Sequence, residues 1–187
     1  MAEAAHRETL PRTVAGFEEW HARQPERWEF VRGEPRMMAP ASMKHSIIKG
    51  NVFAAFRAPL AGTPCQAPVD GPQILTDEIS AIPDVVVTCE PLDLTTPVVA
   101  EPAIIVEVMS PSSETDDHGL KWLAYRKIPS LKHYLVLSQD QRLVHVYSRA
   151  DDIWRERFVS EGALELDDPP VGLEFDAVYA ATDLVAR

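Results

Sequence analysis

Ala103-Ile104-Ile105-Val106-Glu107-Val108-Met109 is the stretch on which the fold turns. Val and Ile dominate it, and one glutamate interrupts it, so it reads as a buried strand. A helix is predicted over 119–128, ended by Pro129, and a second buried strand over 133–137. The path between the two strands is long enough for a right-handed crossover, which makes them parallel. A further Val-rich strand over 84–88 opens with Pro83-Asp84. The expected class is therefore α/β, a mixed β-sheet flanked by α-helices.

Outward from that centre the signals are shorter. Residues 13–23 read as a helix with Thr13 as N-cap and Val14, Phe17 and Trp20 on one face. Residues 28–31 and 36–39 read as a hairpin turning at Arg32-Gly33. A longer helix covers 43–60, with Ile47, Ile48, Val52, Ala55 and Phe56 as its apolar stripe and Pro59 fitting its last turn poorly. Residues 65–69 and 73–75 carry weak strand signals. Antiparallel strands are expected over 143–147 and 154–159, and a short helix over 174–179. No internal repeat interrupts the chain, and the 16 prolines punctuate short elements.

The 187 residues fit one domain: a helix and hairpin at about 13–40, a catalytic core at about 43–160 and an extension at about 161–187. No apolar run approaches the roughly 20 residues that span a bilayer. The first dozen residues mix charges and contain no apolar signal core, so a cytoplasmic protein without membrane association is expected. Cys65 and Cys89 form no CxxC and read as reduced structural thiols in that compartment. The formal net charge of −11 runs against nucleic-acid binding, unless basic groups are gathered locally.

Alternation along the central strand puts Ile105, Glu107 and Met109 on one face and Ile104, Val106 and Val108 on the other. A carboxylate within such a run is costly to bury without a partner. A cation bound jointly by Glu107 and Asp84 would remove that cost, and hard oxygen ligands suit Mg²⁺ or Mn²⁺. Such an ion would polarise a phosphodiester and acidify a bound water, while Lys121 could orient the water or stabilise the developing charge. The bland alternative is a buried salt bridge of Glu107 with Lys121 or Arg126. Asp116-Asp117-His118 reads as a helix start, with Ser113 and Asp116 at capping-box spacing. Tyr125 falls one turn after Lys121, where it could pack in the core or bond a phosphate. Arg142, Arg149, Arg155 and Arg157 could line a groove or merely solvate strand edges.

Several segments together resemble the Uma-two family of restriction-endonuclease-like proteins, within the PD-(D/E)xK nuclease superfamily. They are Pro83-Asp84; Glu107-Val108-Met109-Ser110-Pro111-Ser112; Asp117-His118-Gly119-Leu120-Lys121 with Tyr125; and Ile128-Pro129-Ser130-Leu131-Lys132-His133-Tyr134-Leu135-Val136. Trp28-Glu29-Phe30-Val31-Arg32-Gly33-Glu34 followed by Met38, Pro40, Ser42 and His45 belongs to the same likeness, which runs from about residue 29 to 179. It implies a restriction-endonuclease-like core, metal ligation by Asp84 and Glu107, and a ligand from the backbone carbonyl of Val108. It also marks Glu29 as a supporting or additional ligand and His45 as a base, a phosphate contact or a helix cap. The superfamily's simplest pattern places a lysine two positions after the second acid, where this chain has Met109; the amine would come from Lys121 on the next helix. His118 stands where relatives commonly carry Arg.

No phosphate-binding G-x-x-x-x-G-K-[ST] loop, dinucleotide fingerprint, H-E-x-x-H, zinc-spaced cysteine set or G-x-S-x-G elbow is present. The expectation is a Mg²⁺- or Mn²⁺-dependent endonuclease acting on nucleic acid, DNA foremost, with a homodimer plausible by analogy. The competing expectations are a non-catalytic nuclease-fold module for binding or assembly, and hydrolysis of another phosphate ester.

Overall fold

The computed structural model describes residues 10–109 and 117–184. Its centre is a five-stranded sheet of β5 (Val85–Val87), β6 (Ile104–Met109), β7 (His133–Ser138), β8 (Val144–Ala150) and β9 (Ile153–Val159), in that spatial order. β6 and β7 run parallel, with Glu107 opposite Val136, and the other neighbours are antiparallel. The helix α3 (Asp117–Tyr125) lies on the crossover between the two parallel strands, as the run lengths require.

Each face of this sheet is covered, which explains why its strands are nearly continuous in Val, Ile and Leu. On one face Ile104, Val106 and Val108 pack with Ile48, Val52 and Phe56 of α2 (Met43–Leu60). On the other, Val86, Ile105 and Tyr134 pack with Ala124 and Tyr125 of α3. The predicted alternation along β6 is therefore realised, and it fixes Glu107 on the α3 side. Helix α2 runs past Pro59 to Leu60, whose buried side chain holds the last turn against the core.

A second sheet carries the N-terminal half in the order β2 (Glu34–Met37), β1 (Trp28–Val31), β4 (Ile79–Ala81), β3 (Ile74–Leu75). β1 pairs with β4 through Phe30 opposite Ser80, and Val31, Ile74, Ile79 and Ala81 join the α3-side core. The helix α1 (Val14–His21) is capped by Thr13, whose hydroxyl accepts from the Gly16 amide; it buries Phe17 and Trp20 beside Phe30.

Several expectations need correction. β4 carried no sequence prediction, because three residues are too few to show a period. The expected strand over 65–69 is reduced to isolated bridges, Gln66 opposite Thr88 and Val69 opposite Val85. The first of these places Cys65 directly across from Cys89, and the two are joined in a disulfide rather than kept as thiols. An unpredicted hairpin, β10 (Ala163–Asp167) with β11 (Pro170–Glu174), precedes a helix α4 of only four residues (Phe175–Val178). Leu164, Leu166, Val171, Leu173, Phe175 and Val178 all join the α2-side core. The second hairpin strand begins at Glu34, earlier than expected, and α3 begins at Asp117 and ends at Tyr125. Ser113 and Asp116, the expected capping pair, lie outside the described residues. Among the described residues no helix is long and apolar enough to cross a membrane.

Candidate active site

A cleft of about 1060 Å³ opens where the N-terminal sheet, the start of α2 and the ends of β5 and β6 meet. Glu29, His45, Asp84, Glu107, Val108 and Lys121 all line it. Positions far apart in the sequence are thus brought together by the pairing of β1 with β4, of β5 with β6, and by the crossover helix.

Asp84 stands immediately before β5, where the edge of the sheet opens into the cleft. Its Oδ2 accepts the Val108 amide at 2.7 Å and lies 3.1 Å from His45 Nε2. Its Oδ1 lies 4.0 Å from Lys49 Nζ. His45 and Lys49 are one turn apart on α2, so one helix face addresses both oxygens. The structure records Val108 through its amide, bound to that carboxylate, rather than through its carbonyl. His45 itself is held at the helix start: Ser42 Oγ accepts its amide at 3.0 Å and donates to Gln139 Oε1 at 2.8 Å. The His45 Nδ1 is buried and has no hydrogen-bond partner among the described residues.

Glu107 projects toward α3. Its Oε1 accepts from Lys121 Nζ at 3.1 Å and from the Tyr125 hydroxyl at 3.2 Å. Lys121 also reaches Glu29 Oε2 at 2.9 Å. Glu29 is 5% exposed, and its second oxygen accepts the Ile82 amide at 2.8 Å, two residues before Asp84. One ammonium therefore links acids from two different sheets. Of the two salt-bridge partners open to Glu107 from sequence, the structure selects Lys121; the Arg126 guanidinium lies over the Trp122 ring instead.

Burial pushes the Glu107 carboxyl up to about 8, the nearby Glu29 and Asp84 carboxylates push the same way, and Lys121 only partly offsets them. Tyr125 is raised well above the usual phenol range by burial and by the negative charge of Glu107 and Glu29, so it remains a neutral donor. Immediately around Lys121, the three acids Glu29, Asp84 and Glu107 outnumber the one ammonium. Among the described residues no group of three or more His, Cys, Asp and Glu side chains is set as a ready metal cage. The donor chemistry nonetheless fits a hard divalent cation: two acids share one cleft, and such ions take backbone carbonyl, water and substrate oxygens for their remaining positions. A cation bound there would compensate the charge of Glu107, whose burial raises its pKa.

Sequence reasoning missed several residues here. Tyr125 is core, as its spacing suggested, yet it also holds Glu107. Arg27, Arg36, Lys44 and Lys49 line the cleft, whereas Arg142, Arg149, Arg155 and Arg157 do not. Arg142 pairs with Asp176, Arg149 donates to the carbonyls of Pro129 and Arg126, and Arg157 donates to the Glu165 carbonyl. The one available signal was Lys49, a turn beyond His45.

Comparison with known proteins agrees with this architecture. The family model of Uma2, described as "Putative restriction endonuclease", matches residues 14–178. The uncharacterized protein slr1290 of Synechocystis sp. is 31% identical over 166 residues, covering 86% of this chain and 87% of its own length. A second uncharacterized protein of that organism, sll1609, is 28% identical over 145 residues, covering 75% of this chain and 82% of its own. The crystal structure described as a putative nuclease belonging to DUF820, from Anabaena variabilis, superposes with a TM-score of 0.74 at 16% identity, covering 91% of this chain and 98% of that one. At that identity the likeness speaks for the fold.

Proposed function

The chain belongs to the Uma2 family of putative restriction endonucleases, and on that premise we propose that it is a Mg²⁺- or Mn²⁺-dependent endonuclease hydrolysing phosphodiester bonds, with DNA as substrate. The observation that carries the proposal is the convergence of Glu29, Asp84, Glu107 and Lys121 in one cleft. Asp84 and Glu107 would hold the ion, with the Val108 carbonyl beside them. When bound, such an ion polarises the phosphate and lowers the pKa of a coordinated water.

The chain's own groups do the rest. Glu29 and Glu107 fix the Lys121 ammonium, which stabilises negative charge growing on the phosphate or orients the attacking water. Tyr125 holds Glu107 in place through its hydroxyl. His45, whose Nε2 lies 3.1 Å from Asp84 Oδ2, contacts phosphate or relays a proton on this reading. A homodimer that cuts two strands belongs to the same proposal.

The test is incubation of the purified protein with supercoiled plasmid and with RNA, in Mg²⁺ or Mn²⁺. Cleavage is expected in wild type and is expected to fall by about 100-fold or more in Asp84→Ala, Glu107→Ala and Lys121→Ala. Equal nicking by wild type and variants would defeat the proposal. A second reading, a non-catalytic module for binding or assembly, is favoured by the net charge of −11 and by the absence, among the described residues, of a ready three-ligand cage. On that reading, Mn²⁺ titration shows no binding that depends on both acids.

A further inference from the structure

Three charged residues of the cleft play no part in the chemistry above. Asp70 Oδ1 lies 3.7 Å from Arg27 Nη1 and 3.6 Å from Lys49 Nζ. Lys49 in turn lies 4.0 Å from Asp84 Oδ1. All four side chains line the cleft. An acid set between a guanidinium and an ammonium has the charge pattern of an anion in its site. It is loosely held: both contacts exceed hydrogen-bonding distance, and the Asp70 side chain is 68% exposed. Exposed pairs of this kind contribute little and are readily exchanged. The Lys49 side chain is only 22% exposed, and its ammonium also faces Asp84 Oδ1 at 4.0 Å, so Asp70 is not its only anionic neighbour.

We propose that Arg27 and Lys49 form a phosphate-binding subsite beside Asp84, occupied in the free protein by the Asp70 carboxylate, and that it takes the phosphodiester next to the scissile one. This rests on the nuclease reading and adds the substrate contact to it. A phosphodiester offers two anionic oxygens where Asp70 offers its carboxylate, and an Arg fork with a Lys point charge suits both. The arrangement also answers the acidity of the chain. An internal anion keeps the two cations from binding indiscriminately, and only a polyanion that makes several contacts at once displaces it.

The test is fluorescence anisotropy with fluorescein-labelled DNA and RNA oligonucleotides in Ca²⁺, across a salt series. Arg27→Met and Lys49→Met are each expected to weaken binding and to reduce the slope of log K against log salt by about one. Asp70→Asn is expected to tighten binding by up to about fivefold at low salt. That gain is expected to vanish in the Arg27→Met/Lys49→Met background, an outcome that a merely structural triad would not give. Unchanged slopes in the two cation variants, with plasmid cleavage intact, would overturn the subsite and leave the nuclease reading standing. Wild-type protein that neither binds nor cuts any of the nucleic acids would overturn both.

Discussion

At the scale of single residues, the structure is organised by one ammonium shared between two acids. Lys121 is 7% exposed, and its removal would leave the buried Glu29 and the largely buried Glu107 without their cation. Lys121→Ala is therefore expected to cost about 3–5 kcal/mol in urea unfolding without metal, since breaking a buried pair strands its partner. Tyr125→Phe keeps the packing and loses one hydrogen bond to Glu107, so a loss of about 1 kcal/mol is expected. Glu107 also gives a pH dependence with a definite sign. Its folded pKa, about 8, lies above the ordinary 4.5, so the fold favours the protonated acid. The stability this group contributes is complete below about pH 4.5 and is lost as pH rises through 8. Metal-free wild type should therefore lose stability between pH 5 and 8.5 relative to Glu107→Gln, and saturating Mn²⁺ should flatten the difference. An identical pH profile for the two proteins would contradict this. Glu107 was legible in the sequence, because a charge within a Val/Ile run needs a partner, and Asp84 at the opening of the neighbouring run and Lys121 on the next helix were the partners within reach. The resemblance marked Glu29 as a supporting group, but its tie to Lys121 was not legible, since no local period connects β1 to α3.

At the scale of elements, legibility followed length and apolar period. Helix α2 was expected over 43–60 and is found there, because its stripe of Ile48, Val52 and Phe56 spans several turns. The hairpin of β10 and β11 alternates equally well, with Leu164 and Leu166 opposite Leu173 and Val171, but its outward acids and Pro169-Pro170 disguised it as a tail. Leu166→Ala is expected to destabilise the whole domain by about 2–5 kcal/mol in one transition, because the hairpin shares the α2-side core. The pairing of Cys65 with Cys89 was beyond the sequence: it depends on the short bridge of Gln66 with Thr88, which has no pattern of its own. Non-reducing mass spectrometry with alkylation should show no free thiol. Reduction should lower stability by about 3 kcal/mol for a link spanning 24 residues. Full alkylation of the oxidised protein would refute the bridge.

At the scale of the molecule, two sheets and two helices are arranged so that one cleft receives a side chain from nearly every layer. β1 brings Glu29, α2 brings His45 and Lys49, the approach to β5 brings Asp84, β6 brings Glu107 and α3 brings Lys121. The expected α/β class and the parallel crossover followed from the central apolar runs, and they are what place these groups within reach of each other. The cleft's local balance of charges, rather than the net −11, governs what it can bind. The most direct measurement is anomalous diffraction from a crystal soaked in Mn²⁺. The account predicts a peak within coordination distance of both Asp84 and Glu107, with Lys121 at its side; crystals that show no peak there, or manganese bound only elsewhere, would contradict it.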